Sequence, residues 1–159
     1  MNAVRLTPAL RAAIAQHARA TYPDECCGFL IGLPEPATPE GPRTITAVRP
    51  AANDYAGERR RRFEIRPEEL RDEERRVGDA GLAVLGFYHS HPDHPARPSE
   101  FDRDHAWPWY AYLVASVTRE AVPAIGAFEL DPDTQEFREL PLEDAPDRLA
   151  PLVPELPRT

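Results

Sequence analysis

The stretch Leu82-Ala-Val-Leu-Gly-Phe-Tyr88, followed directly by His89-Ser-His-Pro-Asp-His-Pro-Ala-Arg-Pro-Ser-Glu-Phe-Asp102, decides how this chain reads. Its first part is a short continuous apolar run and predicts a buried strand. His89 and His91 stand two apart at the end of that strand, where alternation turns both side chains to one face. Two imidazoles converging on one point are half of a zinc site. Asp102, eleven residues past His91, can return a carboxylate to that point after a loop punctuated by Pro92, Pro95 and Pro98. Two histidines and a carboxylate form a catalytic ligand set, because the fourth position of the metal stays open for water. A lone histidine at a strand end usually caps or packs. Here the compound pattern carries the metal reading.

Such a site needs a base, and Glu25 is the best candidate. It lies in Tyr22-Pro-Asp-Glu-Cys-Cys-Gly28, between an amphipathic helix and the apolar run Gly28-Phe-Leu-Ile-Gly32. A glutamate at the entry to a core strand is ordinarily solvated. Beside a metal it gains a use, since a nearby carboxylate accepts the proton of an activated water. Nothing local brings Glu25 to His89.

These residues carry a resemblance. Glu25, then His89-Ser90-His91, seven residues, Ser99, two residues and Asp102 match the signature E…H-[ST]-H-x7-S-x-x-D without a substitution. That signature is similar to the one of the JAMM (MPN-plus, Mov34/JAB) zinc metalloproteases, in their bacterial stand-alone type. Asn53 and Arg62-Phe-Glu-Ile65 also resemble the family's asparagine-containing loop and the strand after it. The resemblance spans roughly residues 5 to 140. It implies that His89, His91 and Asp102 are ligands of one zinc ion per chain. It implies that Glu25 is the general acid/base and that Ser99 donates a hydrogen bond to the tetrahedral oxyanion. Such a donor stabilises charge as it forms. Ser99 has a plainer reading beside this one: Ser-x-x-Asp is a helix-capping pattern that would fix Asp102 in place.

The remaining histidines read differently. His94 sits in the loop and is expected to be exposed, with substrate contact the minority reading. His105, three residues after Asp102, reads as packing or surface before a hydrogen-bond partner of a metal ligand or an extra ligand. His17 lies mid-helix and has no assigned function. Trp107 and Trp109 flank Pro108 before an apolar strand, and core or rim packing outranks substrate stacking. Cys26 and Cys27 are adjacent and lack the spacing of a redox or zinc pair. Cys27 is expected inside the first core strand and Cys26 near Glu25.

The length of 159 residues suits one domain. A net charge of -8 argues against a nucleic-acid surface. No signal peptide is visible and no apolar run approaches a membrane span, so no membrane partner and a cytoplasmic location are expected. Nineteen prolines, and arginine in the place of lysine, fit a coding bias better than a function.

Along the chain, Thr7-Pro8 starts a helix that ends at Tyr22 before Pro23. Strands are expected at Gly28 to Leu33, Thr44 to Val48 and Phe63 to Ile65, with a loop over Pro34 to Pro42. The run Arg59 to Arg62 reads as a solvated strand start, with a basic substrate entrance as the minority reading. Pro67 opens a charged helix to about Gly78, acidic at its start as the helix dipole prefers. After the histidine strand, a helix is expected from Ser99 to about Ala106. Strands follow at Tyr110 to Val117, Ala124 to Leu130 and Gln135 to Leu140. Residues 1 to 141 form the catalytic domain, and 142 to 159 a proline-rich, irregular C-terminal tail.

This order describes an α/β single domain with a mixed β-sheet flanked by helices. The resemblance implies the JAMM (cytidine deaminase-like) fold, related in layout to the zinc nucleobase deaminases. Deamination itself would use His-x-Glu followed by Pro-Cys-x-x-Cys, and no such cysteine pair follows His91. The family implies hydrolysis of a peptide or isopeptide bond after the C-terminal Gly-Gly of a ubiquitin-like or sulfur-carrier protein, a β-grasp partner. Two rivals stand beside it. One is a non-catalytic scaffold of the wider MPN family; the other is a general zinc peptidase acting on unrelated peptides.

Overall fold

The computed structural model describes residues 3–34 and 41–146. In chain order the elements are β1 (Val4–Leu6), α1 (Pro8–Thr21), β2 (Cys27–Gly32), β3 (Arg43–Ala51), α2 (Pro67–Asp79), β4 (Ala83–Pro92), α3 (Glu100–Asp104), β5 (Ala111–Val117), β6 (Ala124–Leu130), β7 (Phe137–Leu140) and β8 (Leu142–Asp144). The eight strands make one mixed sheet in the order β7-β6-β5-β4-β2-β3-β1-β8. The expected α/β class with a mixed sheet and flanking helices is what the chain adopts.

Both long helices begin where local chemistry dictates. The Thr7 hydroxyl accepts from the Leu10 amide at 3.2 Å, and Pro8 takes the first turn of α1, where its missing N–H costs nothing. Pro67 does the same for α2, with Glu68 and Glu69 against the positive end of the dipole. The helices lie on opposite faces of the sheet. Ile14 and Ala18 of α1 join a core with Leu30, Ile45, Tyr88 and Leu113. Val77 of α2 joins the other, with Phe29, Ile31, Phe87 and Tyr112.

β4 is the central strand. It pairs antiparallel with β2, where Cys27 faces His89, and parallel with β5, where His89 faces Val114. Burial on both faces explains its unbroken apolar run. Gly86 is required at the β4–β5 seam, since a Cβ there would run into the Ala111 carbonyl.

Two expectations change, and one strand appears where none was expected. Phe63 to Ile65 is not a strand: the Glu64 amide donates to the Asn53 side chain, so a side chain replaces the ladder. Val4–Leu6 is a strand, paired in parallel with β3 and with β8. Only three residues long, it offers no period for sequence reading to find. Leu142–Asp144, expected to be irregular, is strand β8 on the sheet edge, and the Ala145 amide donates to the Leu6 carbonyl. Most of the loop expected over residues 34–42, and the last part of the tail, lie outside the described residues. No helix among the described residues is long and apolar enough to cross a membrane.

Candidate active site

The end of β4 carries the site. Alternation places His89 and His91 on one face, while Ser90 points to the other and accepts from the Cys26 amide at 2.8 Å. The Ser90 amide donates back to the Cys26 carbonyl. These two bonds tie the last turn before β2 to β4. They carry Glu25, one residue upstream, to the histidines: one ligand atom from each of Glu25, His89 and His91 lies within 4.8 Å of the others. A tertiary contact thus supplies what no local signal could.

Asp102 arrives from the far side of the loop. Ser99 caps α3: its hydroxyl accepts from the Asp102 amide at 3.1 Å, and its own amide donates to Asp102 Oδ2 at 2.8 Å. This is the capping box that Ser-x-x-Asp predicts. The same Oδ2 lies 3.1 Å from His89 Nε2 and 3.1 Å from His91 Nε2, which are themselves 3.1 Å apart.

That triangle fits a metal ion. Donor atoms held at zinc distances in a tetrahedron stand about 3.3 Å from one another. His91 Nδ1 donates to the Pro95 carbonyl at 3.1 Å, so its Nε2 presents a lone pair inward. A cation held between them would satisfy both the His91 lone pair and the carboxylate oxygen that faces it. Burial alone would raise the Asp102 carboxyl, but its contacts with His89, His91 and the Ser99 amide outweigh that and hold the group well below the usual carboxylate range. Glu25 has no such compensation. Burial, with the Asp102 charge second, pushes it up to about 9, and its Oε1 is buried without a hydrogen-bond partner.

Residues 7–130 match the family described as prokaryotic homologs of the JAB domain. The chain belongs to that family. It is 40% identical over 111 residues to a desampylase of Haloferax volcanii, covering 67% of this chain and 75% of that protein. Among solved structures, a protein from Salinibacter ruber is 34% identical, with a TM-score of 0.65 and 96% of each chain covered. A protein from Desulfitobacterium hafniense is 27% identical, with a TM-score of 0.73, covering 91% of this chain and 96% of that one. A JAB1/MPN domain protein from Archaeoglobus fulgidus, 18% identical with a TM-score of 0.54, shares the fold, covering 89% of this chain and all of that one.

In this JAB domain a loop between β3 and α2 closes over the histidines. Asn53 organises it with every hydrogen-bonding group of its amide. The side-chain oxygen accepts from the Tyr55 and Glu64 amides, and the nitrogen donates to the Glu25 and Arg62 carbonyls. The Glu25 amide in turn donates to the Arg59 carbonyl at 2.7 Å. Phe63 is thereby stacked on His89, ring centroids 4.5 Å apart. Tyr55 packs edge-on against Phe101, and the Arg62 guanidinium lies over that same ring. Sequence reading found Asn53 and Phe63 only as weak resemblances; their contacts depend on how the loop folds back.

The other singled-out residues fall into place around this centre. His94 is exposed, beside Arg60, Arg61 and Arg119 in a second, polar cavity. His105 ends α3, where Nδ1 bonds the Phe101 carbonyl at 2.8 Å and the ring stacks on Phe101. His17 lies across the sheet with Nδ1 2.8 Å from the Tyr88 hydroxyl, a packing role. Cys26 and Cys27 are buried, free thiols; burial pushes Cys26 up to about 11. Trp107 and Trp109 stack on each other at the surface, 46% and 65% exposed, so they belong to the rim.

Proposed function

We propose that this chain is a zinc-dependent peptidase or isopeptidase that cuts after the C-terminal Gly-Gly of a ubiquitin-like or sulfur-carrier β-grasp protein. The observation that carries this reading is the 3.1 Å triangle of His89, His91 and Asp102 with the Glu25 carboxylate beside it. The relative named a desampylase supports the hydrolytic activity and a ubiquitin-like substrate. His89, His91 and Asp102 would hold one zinc ion per chain, and Glu25 and Ser99 are the catalytic residues.

Zinc, when bound there, supplies Lewis-acid polarisation of the scissile carbonyl and eases ionisation of water. The residues of the chain do the rest. Glu25 accepts a proton from the attacking water and passes it to the departing amine. A cation held by His89, His91 and Asp102 beside it would favour the ionised form of the buried Glu25, which is the form that accepts a proton. The Ser99 hydroxyl accepts from the Asp102 amide, which leaves its own proton to donate to the oxyanion. The capping box and the Pro95 carbonyl hold Asp102 and His91 in orientation, as outer partners do for metal ligands. The scaffold alternative requires none of this, and a complete set of inward-facing donors weighs against it.

The test combines metal content with turnover. The wild type should carry one zinc per chain and release the residue joined to a Gly-Gly-ended β-grasp protein. His89→Ala and Asp102→Ala should lose most of the zinc. Full zinc occupancy in both variants would remove the ligand assignment. Equal cutting of glycine-ended and unrelated peptides would leave only a general zinc peptidase.

A further inference from the structure

A cavity of about 380 Å³ opens against the site, with His89 and Asp102 in its wall. The rest of the lining is mainly apolar: Phe63, Ile65, Leu70, Phe87, Tyr112 and Phe137 are among its residues. Core packing normally closes such a space, because apolar side chains interdigitate to crystal-like density. Here the rings are braced against one another instead. Phe87 packs edge-on against Tyr110 at 4.9 Å, and Tyr112 against Phe137 at 5.7 Å between centroids. Trp107, half exposed, stands at the rim. The cavity is therefore preformed, apolar and continuous with the catalytic centre, the usual build of a small binding site.

The two glycines before the scissile bond have no side chain, so neither of them fills this space. We infer that the cavity receives a bulky apolar side chain on the residue that follows the scissile bond, so that the preferred substrate is Gly-Gly-Xaa with an aromatic or large aliphatic Xaa in ordinary α-linkage. The inference deepens the proposed function and rests on it. Aromatic walls suit a ring, through offset and edge contacts beyond simple area burial.

The experiment has two arms. In the first, a β-grasp protein ending in Gly-Gly is extended by Phe, Leu, Ala, Gly or Asp, or joined through a lysine side chain, and each product is timed with the zinc-loaded enzyme. Phe and Leu should be released with kcat/KM about tenfold or more above Gly, as expected for burial of a large apolar side chain. Ile65→Trp, which fills the cavity from a loop position, should bring that ratio towards one. In the second arm, phenylalaninamide and glycinamide are titrated calorimetrically into the full chain without added metal. Phenylalaninamide should bind more tightly, and Ile65→Trp should abolish the difference. Equal turnover across the series, faster release from the lysine linkage, or no binding preference would each overturn the inference. If no Gly-Gly substrate is cut while the binding preference holds, the Gly-Gly reading falls and the apolar site stands.

Discussion

Replacing Glu25 by glutamine should make the metal-free protein more stable, and increasingly so as pH rises. The side chain is 2% exposed, and burial lifts its carboxyl from 4.5 to about 9. Between those values the folded chain keeps a proton that the unfolded chain releases. Stability therefore falls with rising pH across this window, and the penalty is complete above the folded value. Each pH unit costs about 1.4 kcal/mol, so the penalty grows by about 4 kcal/mol from about pH 5 to about pH 8. Glutamine carries no proton to lose. Any constant cost of burying its amide cancels when the wild-type-to-variant gap is followed against pH. The Asp102 carboxyl, held low, acts below the ordinary carboxylate range and is common to both proteins. Urea unfolding in the presence of a chelator, at three pH values, measures the gap directly. A gap that stays flat between pH 5 and pH 8, or a wild type that becomes the more stable at pH 8, would refute a buried, uncompensated Glu25. The zinc-loaded variant should meanwhile turn over at least about a hundredfold more slowly, as removal of a general base predicts. Stability gained and activity lost in one substitution is the signature of a functional buried charge.

Two further outcomes follow from the surroundings of the site. Asn53→Ala removes four hydrogen bonds and should cost about 2 kcal/mol, with faster hydrogen exchange at the Tyr55 and Glu64 amides and unchanged zinc content. Exchange confined elsewhere would show that the loop closes without Asn53. Cys26 and Cys27, buried and with Cys26 pushed up to about 11, should resist a thiol reagent at pH 8 in the folded protein and react fully in denaturant. Rapid labelling of either thiol in the native state would contradict that burial.

Much of this protein is determined by local sequence. Thr7-Pro8 and Pro67 set helix starts because capping and proline geometry act within one turn. The run into Tyr88 sets the central strand, and period two puts His89 and His91 on one face. Ser99-x-x-Asp102 sets the capping box, because both partners lie in the same turn. What tertiary structure decided involves residues far apart in the chain. Glu25 reaches the histidines because β2 pairs with β4 in a register that sets Cys27 against His89. Residues 63–65 look like a strand by composition, but the Asn53 amide takes the Glu64 N–H and the segment becomes a loop laid over His89. β1 and β8, each three residues long, pair in parallel from opposite ends of the described chain. The apolar cavity draws its walls from the loop, α2, β4, β5 and β7 together. Caps and alternation are energies between neighbours and can be read in order; register, loop closure and cavity shape are settled by which distant surfaces exclude water together.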